Sequence, residues 1–176
     1  MSYHPESRAF YSPAKLSCAT AVYSPMTAEG LARGGTGPNE RTSVPHPASP
    51  NDLGELVAMD SKTGKVLWRH RNPLPYNTAV LTTAGGVAFA GDMDRYLTAF
   101  DIDNGKVLWR TRTATPPDGF PITYAVRGRQ YIAVPTGPGW FVGYWHIRDV
   151  LPGFHKVDGG PTMTVFALPE APASSK

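Results

Sequence analysis

Apolar and polar residues alternate along this chain in short bursts, and Gly, Pro, Asp and Asn stand between the bursts. Alternation at a period of two puts one set of side chains on each face of an extended strand. The pattern predicts strands at 8–13, 55–60, 65–71, 78–83, 87–90, 96–101, 106–112, 122–126, 130–134 and 163–168. Gly85-Gly86, Asp92-Met-Asp94, Asp103-Asn104-Gly105 and Arg127-Gly128-Arg129 supply the turns. Residues 14–52 and 135–161 break the alternation and read as long irregular insertions rich in Ser, Thr, Gly and Pro. Two helical turns are expected at 26–33, stopped by Gly34-Gly35-Thr36-Gly37-Pro38.

Two of the bursts are copies of one another. Leu56-Val-Ala-Met-Asp-Ser-Lys-Thr-Gly-Lys-Val-Leu-Trp-Arg-His-Arg71 matches Leu97-Thr-Ala-Phe-Asp-Ile-Asp-Asn-Gly-Lys-Val-Leu-Trp-Arg-Thr-Arg112. Every paired residue, Trp68 with Trp109 among them, stands 41 positions apart. A strand-rich repeat of roughly 40–50 residues is the signature of a propeller blade. In each copy an apolar strand ends at an Asp, a Gly turn follows, and the next strand carries a large aromatic. A lone hairpin cannot bury that Trp, so neighbouring sheets must enclose both indoles.

The fold class expected is therefore all-β: a partial β-propeller of about two to three blades of four-stranded antiparallel sheet. Residues 1–13 and 53–72 form an incomplete blade lacking its innermost strand, with 14–52 as a loop insertion. Residues 77–112 form a complete blade. Residues 120–134 and 162–169 form an incomplete last blade around the insertion 135–161, and 170–176 is a tail. A closed ring needs at least about four blades, which the irregular stretches of a 176-residue chain leave no room for.

Composition narrows the function classes. Gly and Pro number 18 each, which favours turns over long helices. A net charge of +3 without a dense basic run gives no support for nucleic-acid binding. Cys18 is the sole cysteine, so no internal disulfide and no CxxC motif exists. The start of the chain lacks the apolar core of a signal peptide, and no run has the length of a membrane span.

The repeat Ala58, Asp60, Thr63, Gly64, Lys65 and Trp68 resembles the tryptophan-docking blades of the pyrroloquinoline-quinone (PQQ)-dependent alcohol and methanol dehydrogenases. Leu81-Thr-Thr-Ala-Gly-Gly86 with Phe89-Ala-Gly91 resembles their C-terminal blades, as do Pro121-Ile-Thr-Tyr124 with Gly128-Arg-Gln-Tyr-Ile-Ala-Val134 and the closing Val165-Phe-Ala-Leu-Pro169. The resemblance implies an oxidoreductase that converts a primary alcohol or aldehyde. PQQ is its electron acceptor and a Ca²⁺ or lanthanide ion polarises the quinone. The metal ligands, the catalytic base and the adjacent cysteine pair of that family have no counterpart in this chain, which is not expected to be active alone. The family's cofactor-lining positions fall on Tyr76 and Asn77, and on Gly139, Trp140 and Phe141 of the segment from Gly137. The resemblance further implies the remaining propeller blades or an upstream-encoded chain as partners, a cytochrome c acceptor and a periplasmic location. A non-catalytic repeat propeller, serving as scaffold or interaction module, is the alternative.

Other motifs carry no chemistry. Asp101-Ile-Asp103-Asn104-Gly105 matches the start of a Ca²⁺ loop, but the twelfth position is Arg112 where a Glu is required. Arg69, Arg71, Arg110 and Arg112 alternate at a period of two and read as a solvated outer strand face. The five histidines show no ligand spacing.

Overall fold

A computed structural model describes residues 1–23, 27–29, 40–138, 147–148, 150–155 and 157–168. The chain opens with β1 (Ser2–His4) and β2 (Ala9–Lys15), then β3 (Ser17–Val22) and β4 (Glu40–Pro45), then β5 (Gly54–Asp60) and β6 (Val66–Asn72). Strands β1, β2, β5 and β6 lie side by side in that order as one antiparallel sheet.

This first blade is complete, which corrects the expectation that it lacks its innermost strand. Ser2, Tyr3 and His4 pair with Tyr11, Phe10 and Ala9. Three residues are too few for alternation to show in the sequence. The turn before β2 is held by His4 Nδ1, which takes the Ser7 amide at 3.2 Å. The stretch 14–52 also departs from its reading as a loop. Strand β2 runs on to Lys15, and β3 pairs with β4 from Ser17 opposite Pro45 to Val22 opposite Glu40. Residues 18–22 of β3 are exposed on both faces, so burial leaves no alternating pattern. Of the helical turns expected at 26–33, residues 27–29 are described.

The second sheet joins β7 (Leu81–Thr83), β8 (Val87–Gly91), β9 (Tyr96–Asp101) and β10 (Val107–Arg112) in sequential order. Its first strand is shorter than the sequence suggests, because Tyr76 and Thr78 make isolated bridges to Asp92 and Gly119. The third sheet holds β11 (Ile122–Val126), β12 (Arg129–Thr136) and β13 (Thr162–Ala167). Residues 169–176 lie outside the described residues.

The core sits between sheets. Ala9, Tyr11, Leu56, Ala58 and Trp68 of the first sheet pack on Val80, Ala88, Ala90, Phe100 and Ile102 of the second. Four alanines in this set keep the sheets close enough for the aromatics to interlock. The Trp68 indole, 8% exposed, lies nearly parallel to Phe100 with centroids 6.5 Å apart. Its Nε1 donates to the Ile102 carbonyl at 2.9 Å, and the Tyr11 hydroxyl donates to that same oxygen at 3.0 Å. The turn behind Ile102 must be shallow. Gly105 has φ of +72°, and a Cβ there would fall 2.6 Å from the indole carbon Cε3. Asp101 Oδ1 shapes this turn by accepting from the amides of Asp103 and Asn104.

Trp109 does not repeat this burial. It faces the third sheet edge-on to Phe166 at 5.4 Å, yet remains 42% exposed. Phe166 stands where Phe100 does in the second blade, so Leu168 corresponds to Ile102. The Leu168 carbonyl accepts from Arg129 Nε at 3.1 Å in place of an indole N–H. A cleft of about 460 Å³ remains beside Trp109, walled by Phe89, Leu108, Ile132 and Phe166. Behind it, Leu97, Ile132 and Val134 join the second and third sheets.

The two outward faces of the stack expose apolar side chains, beside Arg69 and Arg71 on the first. Tyr3, Phe10 and Leu67 are exposed on the first sheet, and Ile122, Tyr124, Val126, Met163 and Val165 on the third.

Trp68→Ala is expected to lower the unfolding free energy by about 3–5 kcal/mol, and Trp109→Ala by about 1 kcal/mol, since half of that indole is already in water. Urea melts followed by circular dichroism measure both. Equal losses would contradict the asymmetry of the two sockets.

Candidate functional site

At one end of the sheets three irregular stretches converge: 73–80 between the first two sheets, the turn 92–95 between β8 and β9, and 113–121 leading to the third sheet. Backbone hydrogen bonds lace them together. The amides of Asn77 and Thr78 donate to the Gly91 carbonyl at 2.8 and 3.3 Å, and the Met93 amide donates to Pro75 O at 3.1 Å. The Gly91 amide in turn donates to Thr78 Oγ1 at 2.8 Å. The Ala79 amide reaches Gly119 O, and the Gly137 amide reaches Pro116 O. Gly91 is required for this approach, because a Cβ there would fall 2.3 Å from the Pro117 Cβ. Over the same end, Ile147, Leu151 and Phe154 of the second insertion pack on Leu74 and Met93.

Tyr76 and Asn77 lie in the first of these stretches. The Tyr76 ring is half-buried, edge-on to Phe100 with centroids 6.2 Å apart. Burial, reinforced by the Asp92 charge, holds its phenol protonated well above the ordinary tyrosine range. Asn77 Nδ2 donates to Pro117 O at 3.2 Å, so its side chain ties two of the stretches together. Gly139, Trp140 and Phe141 lie outside the described residues. In the third stretch, Thr115 Oγ1 is buried with no hydrogen-bond partner among the described residues.

Asp92 is the residue that pattern reading passed over as a turn former. It is 1% exposed, and its burial pushes the carboxyl up from its ordinary value against the pull of its hydrogen bonds. Oδ1 accepts the Tyr96 amide at 3.0 Å, while Oδ2 accepts Asn72 Nδ2 at 3.2 Å and Arg110 Nη2 at 3.3 Å. The Arg110 guanidinium lies over the Tyr96 ring, 3.6 Å from its centroid. The alternating arginines are thus more than a solvated face. Arg69 and Arg71 both pair with the buried Glu55, and Arg112 pairs with Asp94. The sequence signal for Asp92 is its position directly after the β8 glycine, opposite an outer strand that carries Arg.

Among the described residues no group of three or more His, Cys, Asp or Glu side chains could hold a metal ion. No helix among them is long and apolar enough to cross a membrane.

Antiparallel sheets stacked face to face, each with its strands in chain order and coupled to the next by an aromatic from an outer strand, define a segment of a β-propeller. Residues 2–132 match the family described as the PQQ glucose/ethanol/alcohol dehydrogenase β-propeller domain, and the chain belongs to that family. It is 40% identical over 117 residues to a quinoprotein ethanol dehydrogenase of Pseudomonas aeruginosa, covering 66% of this chain and 19% of that protein. It is 36% identical over 115 residues to the 1-butanol dehydrogenase (cytochrome c) of Thauera butanivorans, covering 65% of this chain and 17% of that protein. Among solved structures it superposes on a europium-containing methanol dehydrogenase with a TM-score of 0.74 at 27% identity, covering 94% of this chain and 32% of the other. The chain thus spans about a fifth of the length of the curated relatives it matches.

Acid titration reads the packing of His70 beside this site. Its ring is edge-on to Phe100 at 4.9 Å, and burial, then the Arg110 charge, hold it below its ordinary value of 6.5. The contribution of neutral His70 is fully present above about pH 6.5 and is lost as pH falls through the lower folded value. Asp92, shifted the other way, contributes most below the ordinary 3.8 and loses that contribution as pH rises through its folded value. His70→Gln is expected to flatten the fall in urea midpoint between about pH 6.5 and pH 5. A slope unchanged by the substitution would contradict it.

Proposed function

We propose that this chain is a propeller segment from the C-terminal part of a PQQ-dependent alcohol dehydrogenase, which oxidises a primary alcohol or aldehyde with the quinone as electron acceptor. The chain does not catalyse this alone. The observation that carries the reading is the family match across 2–132, which spans the laced stretch bearing Tyr76 and Asn77. When bound, the quinone supplies the acceptor for the alcohol's hydride.

The described residues fit one wall of a pocket for such a flat polyanion. Tyr76 offers an aromatic ring and a protonated phenol. Asn77 holds the wall through Pro117. The family pattern assigns Gly139, Trp140 and Phe141 to contact with the same cofactor. The cations around Asp92 and Glu55 are engaged in ion pairs, so the carboxylates of PQQ, its Ca²⁺ or lanthanide ion and the base fall to other blades.

Those blades are the first partners. The exposed apolar residues on the outward faces of the first and third sheets are what neighbouring blades would cover. A cytochrome c acceptor and a periplasmic setting follow from the same reading, supported by the relative whose name carries cytochrome c.

The test is complementation. The chain is co-expressed with the portion of the Pseudomonas aeruginosa quinoprotein ethanol dehydrogenase outside the matched stretch. PQQ and Ca²⁺ are added, and alcohol-dependent dye reduction is followed. Neither part alone should turn over, and the assembled pair should. In the pair, Tyr76→Leu is expected to weaken PQQ binding about tenfold, the loss of roughly one good contact. An assembled pair that binds no PQQ would favour the scaffold alternative and overturn the proposal.

A further inference from the structure

The stretch 72–78 leaves the first sheet at Asn72 and must arrive at Tyr76 and Asn77 in one conformation. Its own residues do little to fix it: Pro73, Leu74 and Pro75 lack regular pairing, and Asn72 Nδ2 spans only to Leu74 O at 2.7 Å. Leu53 donates its amide to Pro73 O and Ile147 packs on Leu74, and the turn of the second sheet that begins with Asp92 meets the stretch at Asn72 and Pro75. We propose that Asp92 is the positioning residue for this stretch. It clamps Asn72 on one side and the turn backbone on the other, and so fixes where Tyr76 and Asn77 stand. The inference rests on the reading of those two residues as a cofactor wall.

The donor arithmetic is specific to a carboxylate. Three N–H groups, from Tyr96, Asn72 and Arg110, point at the two oxygens of Asp92. A carboxylate accepts on both oxygens, whereas an amide presents one acceptor and one donor in either orientation. Asp92→Asn therefore sets an N–H against an N–H whichever way it flips. Arg110 is already held flat on Tyr96, so it cannot swing away without giving up that ring. Gly91 and Met93, which make the backbone bonds to Asn77, Thr78 and Pro75, flank Asp92 in the chain. Release of Asn72 frees the entry of the stretch, and these bonds are the next to open.

Hydrogen–deuterium exchange on the full chain measures this directly. In Asp92→Asn, the amides of Asn77, Thr78 and Met93 are expected to exchange at least about tenfold faster, while those of Ile132 and Val134 in the third sheet keep their rates. Asn72→Ala, which leaves the Tyr96 bond intact, should give a smaller acceleration at the same three amides and serves if the first variant does not fold. Unchanged rates at these amides overturn the proposal. So does uniform acceleration across all three sheets, which would show global loss of stability. A parallel PQQ titration of the complemented enzyme separates the two readings. Faster exchange with weakened PQQ binding supports both. Faster exchange with unchanged PQQ binding supports the clamp and overturns the cofactor wall.

Discussion

One carbonyl oxygen organises the joint between the first two sheets. The Ile102 oxygen takes hydrogen bonds from the Trp68 indole and the Tyr11 hydroxyl, two donors that have no water to turn to. A buried N–H or O–H left unmatched costs more than an ordinary hydrogen bond returns, so this convergence fixes the register of one sheet on the other. Packing then follows. The indole needs a floor, which Phe100 supplies, and a turn with no Cβ, which Gly105 supplies. The third sheet shows what happens when these conditions lapse. Its corresponding carbonyl is taken by Arg129, and Trp109 stays half in water.

The architecture was legible because its rules are local. Alternation fixes strands, Asp and Gly fix turns, and the spacing of Trp68 and Trp109 fixes the repeat. What escaped has physical reasons. Ser2–His4 is too short to alternate visibly, and its pairing with β2 is a tertiary event. The hairpin of β3 and β4 has no buried face along 18–22 to leave an apolar stripe. The depth of Trp109 depended on a hydrogen-bond competitor that pattern alone cannot reveal.

What supports the stretch bearing Tyr76 and Asn77 was not legible in the sequence. Tyr76 and Asn77 stand where strand ends and connecting segments meet, as a propeller places its binding residues. Asp92 looked like a turn residue because its neighbours in sequence are turn residues. It is buried by segments from elsewhere: Asn72 arrives from the first blade, and Arg110 from the outer strand of its own. Arg69, Arg71 and Arg110, which read as part of a solvated stripe, are half-immersed partners of buried carboxylates, and only the folded chain reveals the pairing.

The apolar sides of the outermost sheets differ from each other: one bears Tyr3, Phe10 and Leu67, the other Ile122, Tyr124 and Val165. Copies of the isolated chain that join one side to the other do so head to tail, with no twofold axis between them. Such a step leaves an unsatisfied side at each end of the growing object. Heterologous steps of this kind close into a ring where the rotation between copies allows it and run on as an open array where it does not.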